Sequence, residues 1–266
     1  MKVTQDRNFD RLVNKFEQKV YGTLKGEWRI KLLKEDLERF HVKQPGLDTA
    51  TTRLEALSIW DAGCGLGQIS QWLAQSGHQL TLSDLSKNML HRARKNFDQA
   101  ALNAHFIQGP AQTLALSLPA FDLVLFHAVL EWLAQPKDTL KVVADKVKPG
   151  GYLSLLFYNR NTLVYTNMLK GEWRWKMLLD DAYIGTGKKL TPPNPHYPHE
   201  VQAWLAEWGF DIEVHTGIRV FHDYLQPDIL AKSDLDELMA LEYQYCRTPT
   251  YRDMGRYIHL LAKRHQ

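Results

Sequence analysis

The chain has 266 residues, 44% hydrophobic and 24% charged, which is enough to bury a full core and ordinary for a globular protein. A formal charge of +3 permits a nucleic-acid partner without demanding one. No apolar run is long enough for a transmembrane helix, and the two cysteines, Cys64 and Cys246, suggest neither a disulfide framework nor a zinc site. Residues 1–7 are polar and lack the apolar core of a signal peptide, so a reducing cytoplasm is the expected location.

In chain order, 6–20 places Phe9, Leu12, Val13, Phe16 and Val20 on one helical face, broken by Tyr21-Gly22-Thr23. A second helix over 26–40 turns Ile30, Leu33, Leu37 and Phe40 inward, and 43–53 reads as a polar connection. Strands and helices then alternate: strand 57–61, helix 68–76, strand 79–83, a helix from the N-cap Ser86 to about 97, and strand 104–108. The apolar run 121–126 predicts a central strand buried on both faces. A short helix with Leu130, Trp132 and Leu133 follows, then a helix opened by Pro136, and a fifth strand over 152–158.

Such alternation predicts an α/β fold: a mostly parallel sheet with helices on both faces. Further on, 162–181 reads as helical with Met168, Leu169, Trp173 and Trp175 as bulky anchors. The stretch 184–199, with four prolines and Lys188-Lys189, reads as a loop or lid. A helix over 199–208 precedes strands over 213–221 and 256–263, which flank a helical stretch over 228–246. Trp204, Trp208 and Tyr243 read as core. The whole chain, 1–266, is expected to form one domain, with 1–53 as a helical cap and 160–199 as a helix-and-loop insertion.

The chemistry centres on Ile59-Trp60-Asp61-Ala62-Gly63-Cys64-Gly65-Leu66-Gly67: a strand, an acid, then a glycine turn opening a helix. Glycine there reaches tight-turn conformations and lets a ligand lie against backbone. A dinucleotide turn needs Gly-x-Gly-x-x-Gly, whereas the third glycine here comes one place early. The acid ahead of the first glycine resembles the turn of S-adenosylmethionine (AdoMet) methyltransferases. Asp84, seventeen residues past Gly67, ends the second strand, where a carboxylate can accept from both ribose hydroxyls. The alternative for Asp84 is an acid stabilising the following helix.

After the third strand, Gly109-Pro110-Ala111 stands where many methyltransferases have Gly-Asp-Ala, so Ala111 and Gln112 are candidates for the adenine. His127 ends the fourth strand and reads as a contact residue. Arg29 is either a surface residue with a buried stem or the partner of the cofactor's carboxylate. Tyr158 and the run Arg219-Val220-Phe221-His222-Asp223-Tyr224 suit an anionic, planar substrate, with an Arg219–Asp223 structural pair as the alternative. His196 and His199 lack a third ligand and read as solvated loop residues, so no metal site is expected.

Five stretches carry a narrower resemblance: Gln5-Asp6-Arg7-Asn8-Phe9-Asp10, Tyr21-Gly22-Thr23-x-Lys25-Gly26, 126–132 (Phe126-His127-Ala128-Val129-Leu130-Glu131-Trp132), 217–225 (Gly217-x-Arg219 through Leu225) and Gly255-Arg256-Tyr257-Ile258-His259. Together they resemble the bacterial tRNA 5-carboxymethoxyuridine methyltransferases over nearly the whole chain. The resemblance implies a class I, Rossmann-like methyltransferase fold with a seven-stranded, mostly parallel sheet. It implies AdoMet as cofactor, S-adenosyl-L-homocysteine as product, and a tRNA anticodon loop as partner, with neither DNA nor membrane.

It further implies cofactor contacts at Arg29, Gly63, Cys64, Asp84, Ala111, Gln112 and His127, to which the turn itself adds Asp61 and Gly65. Tyr158, Arg219, His222 and Tyr224 are the substrate candidates. The substrate's carboxylic acid is already ionised at neutral pH, so no catalytic general base is expected. Competing readings are a methyltransferase of a small carboxylic acid or other metabolite, and a non-catalytic binding module on the same scaffold. A nicotinamide dehydrogenase is disfavoured by the glycine spacing.

Overall fold

The computed structural model describes residues 4–18, 22–42, 56–180 and 192–266. Val20, Tyr21, the connection 43–53, Lys188-Lys189 and the Phe40 side chain lie outside the described residues.

The first described stretch contains one helical turn, α1 (Val13–Phe16), not the long helix expected over 6–20. The carboxylates of Asp6 and Asp10 accept from the distant backbone N–H groups of Ala134 and Asn88. Those bonds draw the segment across the molecule instead of into a helix. α2 (Leu24–Val42) is the helix its periodicity predicts, with Leu33 and Leu37 buried.

The alternating part follows as β1 (Ser58–Ala62), α3 (Gln68–Gln75), β2 (Gln79–Asp84), α4 (Lys87–Gln99), β3 (His105–Gln108), α5 (Ala111–Leu114), β4 (Phe121–His127), α6 (Pro136–Ala144) and β5 (Val147–Tyr158). Ser86 caps α4, its hydroxyl accepting from the Met89 N–H at 3.1 Å. Next come α7 (Arg160–Met168), α8 (Trp175–Leu179), α9 (Pro198–Glu207), β6 (Phe210–Ile218), α10 (Pro227–Leu230), α11 (Leu235–Tyr245) and β7 (Tyr257–Arg264).

The strands form the expected seven-stranded, mostly parallel sheet, in the order β3-β2-β1-β4-β5-β7-β6. Only β7 runs against its neighbours. Strand alternation sends successive side chains to opposite faces and so builds two cores. Ile59, Leu123 and Leu125 pack with Leu33 of α2, Leu73 of α3 and Phe97 of α4. Trp60, Val124 and Phe126 pack on the other face with Leu140 and Val143 of α6 and Val201 and Leu205 of α9. Trp204 and Trp208 pack at the edge of this second core, and Tyr243 at the edge of the first.

Three expectations fail for identifiable reasons. Met168, Leu169, Trp173 and Trp175 are exposed (45%, 61%, 66% and 42%), not core anchors. Gly171, at φ +98°, breaks the helical run, and a helix of five residues cannot lay a continuous stripe on the core. His196 is buried, with its ring edge-on to Trp204 and its backbone bridged to Asn159, so of this pair His199 alone lies at the surface. The strand expected over 213–221 begins at Phe210 and stops at Ile218, because Arg219 takes a left-handed conformation, φ +61°.

Candidate active site

The chain runs outward from β1 to β2 and β3 and then returns beside β1 as β4. Parallel sheets of this kind open a crevice at such a reversal, at the carboxyl ends of the strands. Asp61, Asp84 and His127 all stand at those ends. Gly63 turns the chain at φ +89°, and a Cβ there would lie 2.3 Å from a Val129 methyl, so only glycine fits. The N–H groups of Gly63 and Cys64 donate to the Ser83 carbonyl at 2.8 and 2.9 Å, which pins the turn to the end of β2.

Asp84 braces the turn from the other side. Its carboxylate accepts from the Gly65 N–H at 2.9 Å and the Ser86 N–H at 2.7 Å, and the remaining lone pairs can still take ligand hydroxyls. Burial pushes its pKa up to about 6 despite those two bonds. Asp61, bonded by the Ser70 hydroxyl at 2.5 Å, is pushed up to about 7, first by burial and then by the neighbouring Asp84 charge. Burial likewise raises the Cys64 thiol well above its ordinary value, so it is an unreactive wall.

All nine residues expected at the cofactor (Arg29, Asp61, Gly63, Cys64, Gly65, Asp84, Ala111, Gln112 and His127) line one cleft of about 1120 Å³. Arg29 reaches it from α2 as a buried side chain, with its guanidinium 4.4 Å from the centre of the Tyr257 ring. Its Nε has no hydrogen-bond partner among the described residues. Burial above all, with the nearby Arg29 charge, holds the His127 pKa well below that of a free histidine, so its ring is neutral.

Sequence reasoning missed the roof. Asp6, Arg7, Phe9 and Phe16 of the N-terminal segment line the same cleft. The segment is tied down by the Arg7 N–H on the Trp132 carbonyl (3.1 Å) and by Phe9 packed edge-on to the Trp132 ring (5.0 Å). The motif around Asp6 and Phe9 was the available signal.

None of the four substrate candidates lines that cleft. Tyr158 is buried beneath the Arg256 guanidinium, 4.9 Å from its ring centre. The Tyr224 hydroxyl donates to the Met254 carbonyl at 2.6 Å. Arg219 and His222 both bond Asp223, at 3.1 and 3.0 Å, so the structural-pair alternative describes the observed contact. Burial would raise Asp223, but His222, Arg219, Lys25 and Arg256 outweigh it and hold the carboxyl far below the usual carboxylate range. Arg219 nevertheless lies near the cleft: its guanidinium and that of Arg29 both approach the Tyr257 ring, at 5.5 and 4.4 Å. Tyr257 was not singled out from sequence.

The turn that carries Arg219 has its own support. The buried Glu242 carboxylate accepts from three consecutive backbone N–H groups, those of Val220, Phe221 and His222 (2.6, 3.0 and 2.7 Å). A Cβ on Gly217 would lie 2.2 Å from the Arg252 carbonyl oxygen, and one on Gly255 would lie 2.6 Å from the Gly217 Cα. Two of the sequence motifs therefore meet backbone to backbone, which explains a glycine in each.

The cleft thus offers buried carboxylates at the glycine turn, a guanidinium with an unused donor, and apolar walls. That donor set fits an elongated ligand with a hydroxyl-bearing ring and a zwitterionic end.

The protein-family model described as a methyltransferase domain matches residues 60–155. The tRNA 5-carboxymethoxyuridine methyltransferase of Escherichia coli (strain K12) is 40% identical over 98% of this chain and 98% of its own. The ubiquinone biosynthesis O-methyltransferase of Xanthomonas euvesicatoria is 28% identical over 65% of this chain and 71% of its own. Among solved structures, the magnesium protoporphyrin IX methyltransferase of Synechocystis with bound S-adenosylhomocysteine superposes with a TM-score of 0.62. It is 17% identical and covers 96% of both chains, a likeness of fold. Near-complete two-way coverage at 40% identity shows that the chain belongs to the tRNA 5-carboxymethoxyuridine methyltransferase family.

Proposed function

We propose that this protein transfers the methyl group of AdoMet to the carboxylate of 5-carboxymethoxyuridine at the tRNA wobble position, forming the methyl ester in the cytoplasm. The full-length match to the Escherichia coli enzyme carries this reading. The cleft supports the cofactor: Asp84 would take the ribose hydroxyls, and Ala111 and Gln112 the adenine. Asp61 and the backbone of Gly63, Cys64 and Gly65 would line the middle. Arg29, with its unpartnered Nε, would take the methionine carboxylate, and His127 the ammonium.

AdoMet, when bound, supplies an electrophilic methyl group for one in-line displacement by a carboxylate oxygen. The substrate carboxylate is ionised at neutral pH, so no residue is assigned as a base. The protein's contribution is position: rate comes from holding oxygen, methyl and sulfur in line. Arg219, beside Arg29 across Tyr257, would select the anionic base. Its salt bridge to Asp223 tempers its charge, so the attacking oxygen is not over-neutralised.

An unpaired RNA loop is recognised by stacking and by phosphate contacts. The exposed Trp173 and Trp175, with Lys170, Arg174 and Lys176 among them, offer both. Tyr158, His222 and Tyr224 would then shape the pocket wall more than touch the base.

Incubation with AdoMet and tRNA carrying 5-carboxymethoxyuridine, followed by nucleoside mass spectrometry, should show conversion to the methyl ester. Transfer should weaken steeply with salt, as phosphate contacts require. Equal turnover of free small carboxylic acids at all salt concentrations would instead identify a metabolite methyltransferase.

A further inference from the structure

A line of hydrogen bonds crosses the sheet behind the cleft. Asp36 on α2 accepts from His259 Nδ1 on β7 at 2.8 Å. His259 Nε2 meets the Ser154 hydroxyl on β5 at 2.8 Å, and that hydroxyl meets His127 Nε2 on β4 at 2.7 Å. Asp36, His259 and Ser154 are each 0% exposed, and His127 borders the cleft. We infer that Asp36, His259 and Ser154 are positioning residues that hold His127 with its proton on Nε2, so that the cleft meets a bare Nδ1, a hydrogen-bond acceptor.

The direction of each bond follows from counting donors. Arg247 donates through Nε (3.0 Å) and Nη2 (2.6 Å) to Asp36 Oδ1, and its Nη2 also lies 3.3 Å from Glu35 Oε2. A guanidinium only donates and a carboxylate only accepts, so His259 Nδ1 must carry a proton for Oδ2. A neutral His259 ring has only that one proton. His259 Nε2 is therefore bare and accepts the Ser154 O–H. The Ser154 oxygen is left as an acceptor toward His127 Nε2, which must donate. One neutral imidazole carries one such proton, so His127 Nδ1 is unprotonated.

The consequence for binding rests on the proposed placement of the cofactor's amino-acid end at Arg29 and His127. A zwitterion needs a donor for its carboxylate and an acceptor for its ammonium. Arg29 can only donate. If His127 also turned an N–H into the cleft, the ammonium would find no acceptor in this pair. The buried chain makes the two side chains complementary instead of alike.

The test reads the tautomer directly, by two-bond proton–nitrogen NMR correlation on ligand-free protein with labelled histidine, assigned with His127→Asn. Wild type should show His127 protonated on Nε2. In Asp36→Asn, Arg247 keeps the amide oxygen, so the amide NH₂ turns to His259 Nδ1 and every bond reverses. His127 should switch to the Nδ1-protonated form. Ser154→Ala, which adds no polar group, cuts the chain and should give a mixture of tautomers if Asp36→Asn fails to fold. AdoMet affinity by calorimetry should fall about tenfold in each folded variant, the loss of one buried hydrogen bond. His127 protonated on Nδ1 in wild type, or an unchanged tautomer in both variants, overturns the inference. Tautomers that shift as expected with unchanged affinity would uphold the chain and refute the placement of the ammonium at His127.

Discussion

Asp6 Oδ2 accepts a hydrogen bond from Gln112 Nε2 at 2.7 Å, joining residues 106 apart in sequence across the roof of the cleft. Its other oxygen takes the Ala134 N–H at 2.8 Å. The turn after β3 has Pro110 where many methyltransferases carry an acid, and Asp6 brings a carboxylate to that turn from the far end of the chain.

Asp6→Ala should therefore do more than loosen the N-terminus. It strands the Gln112 amide and the Ala134 N–H, a cost of about 1–3 kcal/mol. Calorimetry should show AdoMet binding about tenfold weaker, and limited proteolysis should cut the N-terminal segment faster. Unchanged affinity would mean that the roof plays no part in holding the cofactor.

The two raised acids make both stability and binding depend on pH. Asp61, near 7, and Asp84, near 6, lie above the ordinary aspartate value of 3.8, so the folded protein binds protons more tightly than the unfolded chain. Their contribution to stability is fully present below about pH 4 and is lost as pH rises through 6 to 7. Cofactor binding has the opposite sign, because a positively charged ligand favours the ionised acids. AdoMet affinity should rise between pH 5 and 8, and calorimetry near pH 6.5 in buffers of different ionisation enthalpy should detect proton release. Asp61→Asn should flatten the dependence of melting temperature on pH. A wild-type profile already flat from pH 5 to 8 would contradict the assignment.

Arg219→Lys should separate substrate binding from cofactor binding. Lysine keeps the charge but loses the planar fork that bonds Asp223 and lies against Tyr257. Methyl transfer to modified tRNA should fall about tenfold or more, while AdoMet affinity stays within about twofold. A variant that melts early yet turns over normally when folded would make Arg219 a purely structural residue.

Glu242→Ala leaves three backbone N–H groups, two of them buried, without an acceptor. The expected loss is about 2–4 kcal/mol, read from chemical denaturation, together with weakened methyl transfer because Arg219 loses its turn. Glu242→Gln, which retains one acceptor oxygen, should fall between. Stability unchanged by Glu242→Ala would falsify this account of the left-handed turn.

The sequence by itself determined whatever depends on near neighbours in the chain. Alternating strands and helices, the apolar run of β4, the Ser86 cap and the glycine turn with its flanking acid are local patterns. Each records which face is buried or which dihedral a residue must adopt. They were sufficient for the sheet and for the glycine turn that lines the cleft. Tertiary structure alone decided the pairings between distant residues. Asp36 looks like one more polar position of an amphipathic helix until β7 sets His259 against it, 223 residues on. Asp6 reads as part of a helix until α5 and the turn near Ala134 offer it partners. Arg219 reads as strand until Glu242 gathers the three N–H groups after it. Buried charges and backbone donors must find partners wherever the fold brings them, and no spacing along the chain encodes which partner that will be.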